Sequence, residues 1–310
     1  MQKNTKQKWK LAPCWGYQID ETASVVYGVY EHYKYTKSEK FLKDNLKMCE
    51  KAIDFLKKYL KDWLNIEGTE ERDKDKVQEE IENSVNRQGH KYHISYDLWE
   101  MNEGIHLYSL ASIYSAFDSI LNIYKALGKN VSEFENNRLK EEKIQKNKRT
   151  IENLQTQLKK YINENLYDEE KKSYVRNTED RKMDISILGA ITPFNMFKPK
   201  EKKIRNTVER INMSLRTYTG GYQRFEQDNY MNGNPWPIAN LWMTLYYLET
   251  GEKKKAKETF DFVVKTAGKH YLLGEQVDNS TLKPNWVIGL GWSHAMFIIV
   301  LEKLYKNNLK

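Results

Sequence analysis

The sequence predicts an all-α protein, a toroid of helical hairpins, and three observations predict it. Apolar residues recur at helical spacing through most of the 310 residues. No proline stands between Pro13 and Pro193, so nothing interrupts long helices over that stretch. Short glycine turns alternate with longer loops rich in aromatic and acidic residues, as expected where hairpins stand side by side and gather their loops at one end of an inner helix ring. A solenoid would need a repeat of fixed period, and none is present.

Residues 1–12 read as an extended or disordered tail, and 13–310 as one helical domain. Ile19, Ala23, Val26, Tyr30 and Tyr33 mark a first helix. Leu42, Leu46, Cys49, Ile53, Leu56 and Leu60 mark a second, opened by the capping-box pattern Thr36-x-x-Glu39, and the two make a hairpin. At about 65–93 the pattern gives way to a charged, solvated excursion with room for one short surface helix. A third helix spans roughly Ile105 to Leu127 and stops at Gly128, and a long polar helix follows to about Tyr161. Tyr167 to Arg176 reads as a turn with a short extended piece. Two shorter helical patterns cover Asp184–Ile191 and Ile204–Leu215. Beyond a long loop, a helix runs to Thr250 and ends at Gly251, another runs from Glu252 to Ala267 and ends at Gly268, and a last one covers about Trp292 to Tyr305. That makes about ten helices and almost no convincing strand.

The formal net charge of +8 invites a nucleic-acid partner. Lysines and glutamates nevertheless alternate along nearly every helix and no basic stripe recurs on one face, which describes a solvated surface. Cys14 and Cys49 form no C-x-x-C and imply no disulfide framework. The basic start from Met1 to Lys6 has no apolar run behind it, and no stretch is long enough to span a bilayer, so a soluble cytoplasmic protein without membrane contact is expected.

Three loops carry the side chains that could do chemistry. The first is Tyr96-Asp97-Leu98-Trp99-Glu100. The second runs from Gly220 to Trp236 and holds Arg224, Phe225, Asp228 and Tyr230. The third is Leu272 to Asp278, with Gly291-Trp292-Ser293-His294-Ala295 beyond it. Arginine forks hydrogen bonds onto vicinal hydroxyls or pairs with a carboxylate, and flat rings stack on the apolar faces of a sugar, so the second loop suits a carbohydrate. A well-packed loop with core rings would have the same composition. Hydrolysis of a glycosidic bond needs a carboxyl to protonate the leaving oxygen and a carboxylate to activate water. Glu100, beside Trp99, and Glu275, beside an apolar pair, are candidates, because apolar neighbours raise a carboxyl pKa. Glutamate is common in this chain, and capping or surface roles compete.

Other features carry less. Ser293 and His294 are helical neighbours whose side chains point about 100° apart, which suits a structural role. His90-x-x-His93 lacks further ligands nearby, and Gly289-Leu290-Gly291 lacks the rest of a dinucleotide fingerprint. No metal and no cofactor are expected.

Together the three loops resemble the catalytic domain of glycoside hydrolase family 15, the glucoamylase-type enzymes. The carriers are Tyr96 to Glu100, Gly220-Gly221 with Arg224, Asp228, Tyr230 and Gly233-Asn234-Pro235-Trp236, then Glu275-Gln276, and Trp292 to Ala295. Their order matches the family, and Trp15-Gly16-Tyr17-Gln18-Ile19-Asp20-Glu21 is similar to another of its segments. The resemblance covers nearly the whole chain, from about Pro13 to Leu304. It implies an (α/α)6 barrel and an inverting hydrolysis that releases glucose from the non-reducing end of an α-linked glucan or oligosaccharide. Glu100 would be the general acid and Glu275 the general base. Arg224 would bind the terminal sugar's hydroxyls, Trp15, Tyr230 and Trp236 would line its pocket, and Trp99, Phe225 and Asp228 would stand around it. Trehalose and dextran-type substrates are alternatives in the same barrel.

Two departures from the family's pattern matter. Met101 stands where many members carry a second glutamate, with the next carboxylate at Glu103. The family's Arg-Asp-bearing hairpin upstream of the Trp15 segment has no counterpart here, so the barrel is expected to be incomplete at its N-terminal side. That implies a second polypeptide or self-association, or a non-catalytic carbohydrate-binding subunit.

Overall fold

The computed structural model describes residues 2–3, 9–10, 18–64, 95–128 and 137–308. Trp15, the pair His90 and His93, and the excursion expected at 65–93 lie outside the described residues. Among the described residues are eight α-helices, two 3-10 helices and four antiparallel two-stranded ladders. The chain divides into two compact units, Met1–Ile162 and Asn163–Lys310.

In the first unit, Gln2–Lys3 (β1) pairs with Trp9–Lys10 (β2). The helices are Ile19–Thr36 (α1), Glu39–Leu64 (α2), Leu107–Gly128 (α3) and Asn137–Asn165 (α4), the last of which ends just inside the second unit. α1 buries Ile19, Ala23, Val26 and Val29 on one stripe, and α3 packs against both α1 and α2. The turn between α1 and α2 is made by Lys37, whose left-handed φ of 56° lets its N–H return to the Tyr33 carbonyl at 2.8 Å. That extra turn residue moves the cap of α2 from the expected Thr36 to Ser38. Ser38 Oγ accepts from the Phe41 N–H at 3.2 Å, while the Thr36 hydroxyl donates back to His32 O at 3.0 Å. A two-residue ladder, Ser95–Tyr96 (β3) with Glu103–Gly104 (β4), closes the loop that carries Glu100.

The second unit is built around Pro237–Thr250 (α6), a helix in which every residue from Pro237 to Tyr247 is buried. Its proline sits at the start, where a missing N–H costs nothing. Gly251 ends it in the left-handed region at φ 83°. Around it stand Lys253–Lys265 (α7), Gly291–Asn308 (α8), the 3-10 helix Ile185–Ala190 and the strand Gly274–Val277 (β7). The unit also holds Lys202–Ser214 (α5), the hairpin Tyr167–Asp168 (β5) with Ser173–Tyr174 (β6), and a short 3-10 turn at Tyr230–Asn232.

One element departs from the reading of the sequence. The segment after α7 is a β-hairpin, β7 against Pro284–Ile288 (β8). Strands of four and five residues with a bulge between them carry too little alternation to stand out in sequence. Tertiary contacts fix the hairpin in place: the Val277 N–H donates to Pro235 O and the Gly289 N–H to Leu273 O, both at 2.8 Å.

Candidate active site

The second unit brings Arg224, Phe225, Asp228, Tyr230, Trp236 and Glu275 together. Arg224 and Asp228 are buried and form a two-pronged ion pair, Nε to Oδ2 at 2.8 Å and Nη2 to Oδ1 at 2.9 Å. Asp228 Oδ1 also accepts the Tyr230 N–H at 3.0 Å, so one carboxylate fixes both the arginine and the start of the next turn. Three rings surround the guanidinium, with its carbon 4.6 Å from the centre of Trp236 and 5.0 Å from those of Phe225 and Tyr230. A second guanidinium, Arg176, lies 4.7 Å from the Phe225 ring, which therefore touches two arginines. The loop can fold this tightly because Gly233, at φ 64°, leaves space that a Cβ would take from Asp228 O, only 2.8 Å away.

Glu275 lies on β7, half-buried, and its Oε2 is buried without a hydrogen-bond partner. Burial raises its carboxyl pKa above the ordinary 4.5, against the opposing pull of the Arg224 charge. Burial, and then the negative charge of Glu275, also push the Tyr230 hydroxyl up. Arg224, Tyr230 and Glu275 therefore act on one another electrostatically.

Two asparagines tie the strand to the arginine loop. Asn234 Nδ2 donates to Gln276 Oε1 at 3.2 Å, and Asn234 Oδ1 accepts the Asn279 N–H at 3.1 Å. Asn279 Nδ2 donates to Gly233 O at 3.2 Å, and Asn279 Oδ1 accepts from the Thr219 hydroxyl at 3.0 Å. Behind them Trp236 meets Trp292 edge to face, ring centres 6.3 Å apart. His294 holds the front of β7 in place: Nε2 accepts the Leu273 N–H at 3.2 Å, and Nδ1 lies 2.9 Å from Leu290 O, so the proton is on Nδ1. Its role here is structural.

Glu100 and Trp99 belong to the first unit, on the turn between β3 and β4. Asp97 organises that turn, accepting from the Met101 N–H at 2.9 Å, the Asn102 N–H at 3.3 Å and Asn102 Nδ2 at 2.6 Å. Glu100 takes a left-handed φ of 57° at the tip and is exposed, as is Met101, whereas the Trp99 ring is buried. Nearby, Asp20 is buried and its Oδ1 accepts from Ser109 Oγ at 3.3 Å. Burial pushes its pKa up to about 6.

The sequence does not single out Arg176, Asn279 or Trp286, and although Asn234 stands in the Gly233-to-Trp236 motif, its tie to Gln276 lies 42 positions away; Arg176 and Asn279 have no distinguishing pattern in the chain. Trp286 is an exposed ring on the short strand β8, whose weak alternation leaves no signal in the chain. Among the described residues no group of three His, Cys, Asp or Glu could hold a metal ion, and no helix is long and apolar enough to cross a membrane.

The profile of glycosyl hydrolases family 15 matches residues 16–302. The chain belongs to that family. This glycosyl hydrolases family 15 chain is 27% identical over 304 residues to an uncharacterized glycosyl hydrolase of Methanocaldococcus jannaschii, covering 94% of this chain and 42% of the relative. It is 26% identical over 134 residues to Trehalase 1 of Sulfolobus acidocaldarius, 43% of this chain and 24% of that protein. The chain thus spans less than half the length of either relative. A bacterial glucoamylase solved in complex with acarbose superposes with a TM-score of 0.62 at 18% identity, over 92% of this chain and 40% of that one. A likeness at that identity speaks for the fold, and the fold is the mostly helical one of the (α/α)6-barrel glucoamylases.

Proposed function

We propose that this chain carries the catalytic machinery of an inverting glycoside hydrolase that releases glucose from the non-reducing end of α-linked glucans or oligosaccharides. Glu100 serves as general acid and Glu275 as general base. The observation that carries the reading is Glu275 itself: a half-buried carboxyl with one oxygen unpartnered, beside a buried Arg224–Asp228 pair ringed by Phe225, Tyr230 and Trp236.

The chemistry balances simply. Water bonds to the anomeric carbon as the glycosidic C–O bond breaks, Glu100 gives its proton to the leaving oxygen, and Glu275 takes one from the water. Attack from the face opposite the leaving group inverts the centre, so an α-linkage yields the β-anomer. Inversion requires the two carboxyls to stand roughly 6.5–9.5 Å apart in the working enzyme. Family membership supports assigning Glu100, because it occupies the acid's position in the Tyr96–Glu100 motif. Arg224, held in its fork by Asp228, is assigned to the terminal sugar's hydroxyls, and the rings to its apolar faces.

A trehalase-like specificity is the second reading, favoured by the relative named a trehalase. Proton NMR of the purified chain with maltotriose and with trehalose, beside Glu275→Gln and Glu100→Gln, tests both. Fresh β-glucose from maltotriose that disappears in both variants supports the leading reading, and release from trehalose alone supports the second. Turnover that survives both substitutions sinks the assignment of the carboxyls.

A further inference from the structure

The β7–β8 ladder contains a bulge, and the bulge stands opposite Glu275. Gly274 pairs with Ile288 and Gln276 with Asn285, so one residue on β7, Glu275, faces two on β8, Trp286 and Val287. Extra residues of this kind re-aim side chains, and they are frequent beside active sites. Here the re-aimed residue is Trp286, whose φ of 63° lies in the left-handed region. A bulky side chain adopts that region only when its surroundings demand it. The backbone around it is crowded: a Cβ on Gly274 would come within 2.7 Å of Gln276 O and 3.0 Å of Asn285 O. The Trp286 N–H is held by Asn285 Oδ1 at 2.9 Å.

The strained conformation is not recovered by burying the ring, because Trp286 is 55% exposed. It meets one other ring, that of Tyr230, edge to face with centres 6.4 Å apart and planes at 84°. Tyr230 in turn touches the Arg224 guanidinium and feels the charge of Glu275. An open indole is thus presented beside the ring-lined Arg224–Asp228 pair, on the strand opposite the carboxylate assigned as base. The apolar face of a pyranose is the ligand class that such a surface takes, since a flat, exposed indole offers large contact area at low conformational cost.

We propose that Trp286 is a stacking platform for a second sugar unit of the substrate, next to the monosaccharide pocket of Arg224 and Tyr230. The inference rests on the glycosidase reading and deepens it, because it makes Trp286 a determinant of chain length. A substrate with one sugar would not reach the platform, and one with two or three would.

The test compares the wild-type chain with Trp286→Ala and Trp286→Phe, all as the Glu275→Gln form, by calorimetric titration with glucose and with maltotriose. The expected result is a loss of roughly tenfold in maltotriose affinity for the alanine variant, a change worth about 1.4 kcal/mol, with glucose affinity unchanged and most of the maltotriose affinity regained by phenylalanine. Equal maltotriose affinity in the alanine variant and its parent overturns the platform and leaves the glycosidase reading standing. Equal losses of glucose and maltotriose binding in both variants mark Trp286 as a purely structural residue and also overturn it. If the parent binds neither sugar, the glycosidase reading falls and takes the platform with it.

Discussion

Arg224 and Asp228 form a two-pronged ion pair, 2.8 and 2.9 Å, with both side chains shut off from water. A buried pair of this kind tolerates the loss of neither partner, because the remaining charge is stranded in a poorly solvating site. Asp228→Ala is therefore expected to cost about 3–5 kcal/mol of stability, read as a lower urea midpoint. Asp228→Asn keeps an acceptor for the Tyr230 N–H and should cost less. Equal stability of both variants and the wild type would contradict the geometry.

As the proposed base, Glu275 has to be ionised to take a proton from water. Burial holds its pKa above the ordinary 4.5, so the acid limb of kcat/KM is expected to bend above pH 4.5. A pH series with maltotriose locates that limb. A bend below 4.5 would assign it to another group.

Asp20 gives a pH-dependent stability of definite sign. Its folded pKa of about 6 lies above the ordinary 3.8, so between those values the native state holds more proton than the unfolded chain. Stability contributed by that group is complete below 3.8 and is lost as pH rises through 6. Asp20→Asn should therefore gain stability relative to the wild type as pH rises from 4 to 7, measured as the difference in thermal midpoints. A difference that stays flat over that range would show that Asp20 does not titrate in this way.

Asn279 joins three stretches of chain through Thr219, Gly233 and Asn234. Asn279→Ala removes two side-chain bonds and leaves partly buried partners unsatisfied, at about 1–3 kcal/mol. Misplacement of Glu275 relative to Arg224 should appear mainly in kcat, with circular dichroism unchanged. A variant with wild-type kcat would reduce the network to a stabilising role.

Asp97 holds the Glu100 turn through three hydrogen bonds. Asp97→Ala frees the backbone amides of Met101 and Asn102 and, with Glu100 as the proposed acid, is expected to lower kcat by roughly tenfold or more, since small misplacements of such a group are costly. Steady-state kinetics with maltotriose checks it, and an undiminished kcat would show that Asp97 does not position the proposed acid.

The helices were legible in the chain because their causes are local. The stripe Ile19, Ala23, Val26 in α1 and the Gly251 stop of α6 depend on residues a turn or two apart. So were the family and the loops bearing Glu100, Arg224 and Glu275, because their residue types stand in fixed order along the chain. What only the tertiary structure decided is held by contacts between distant positions. The ties of Asn234 and Asn279 span 42 to 60 positions. The pKa of Glu275 depends on its burial and on an arginine from another loop, and the bulge that turns Trp286 outward depends on the register of a hairpin. A pattern in sequence records which faces are apolar, whereas register, desolvation and charge proximity exist only once separate segments have met.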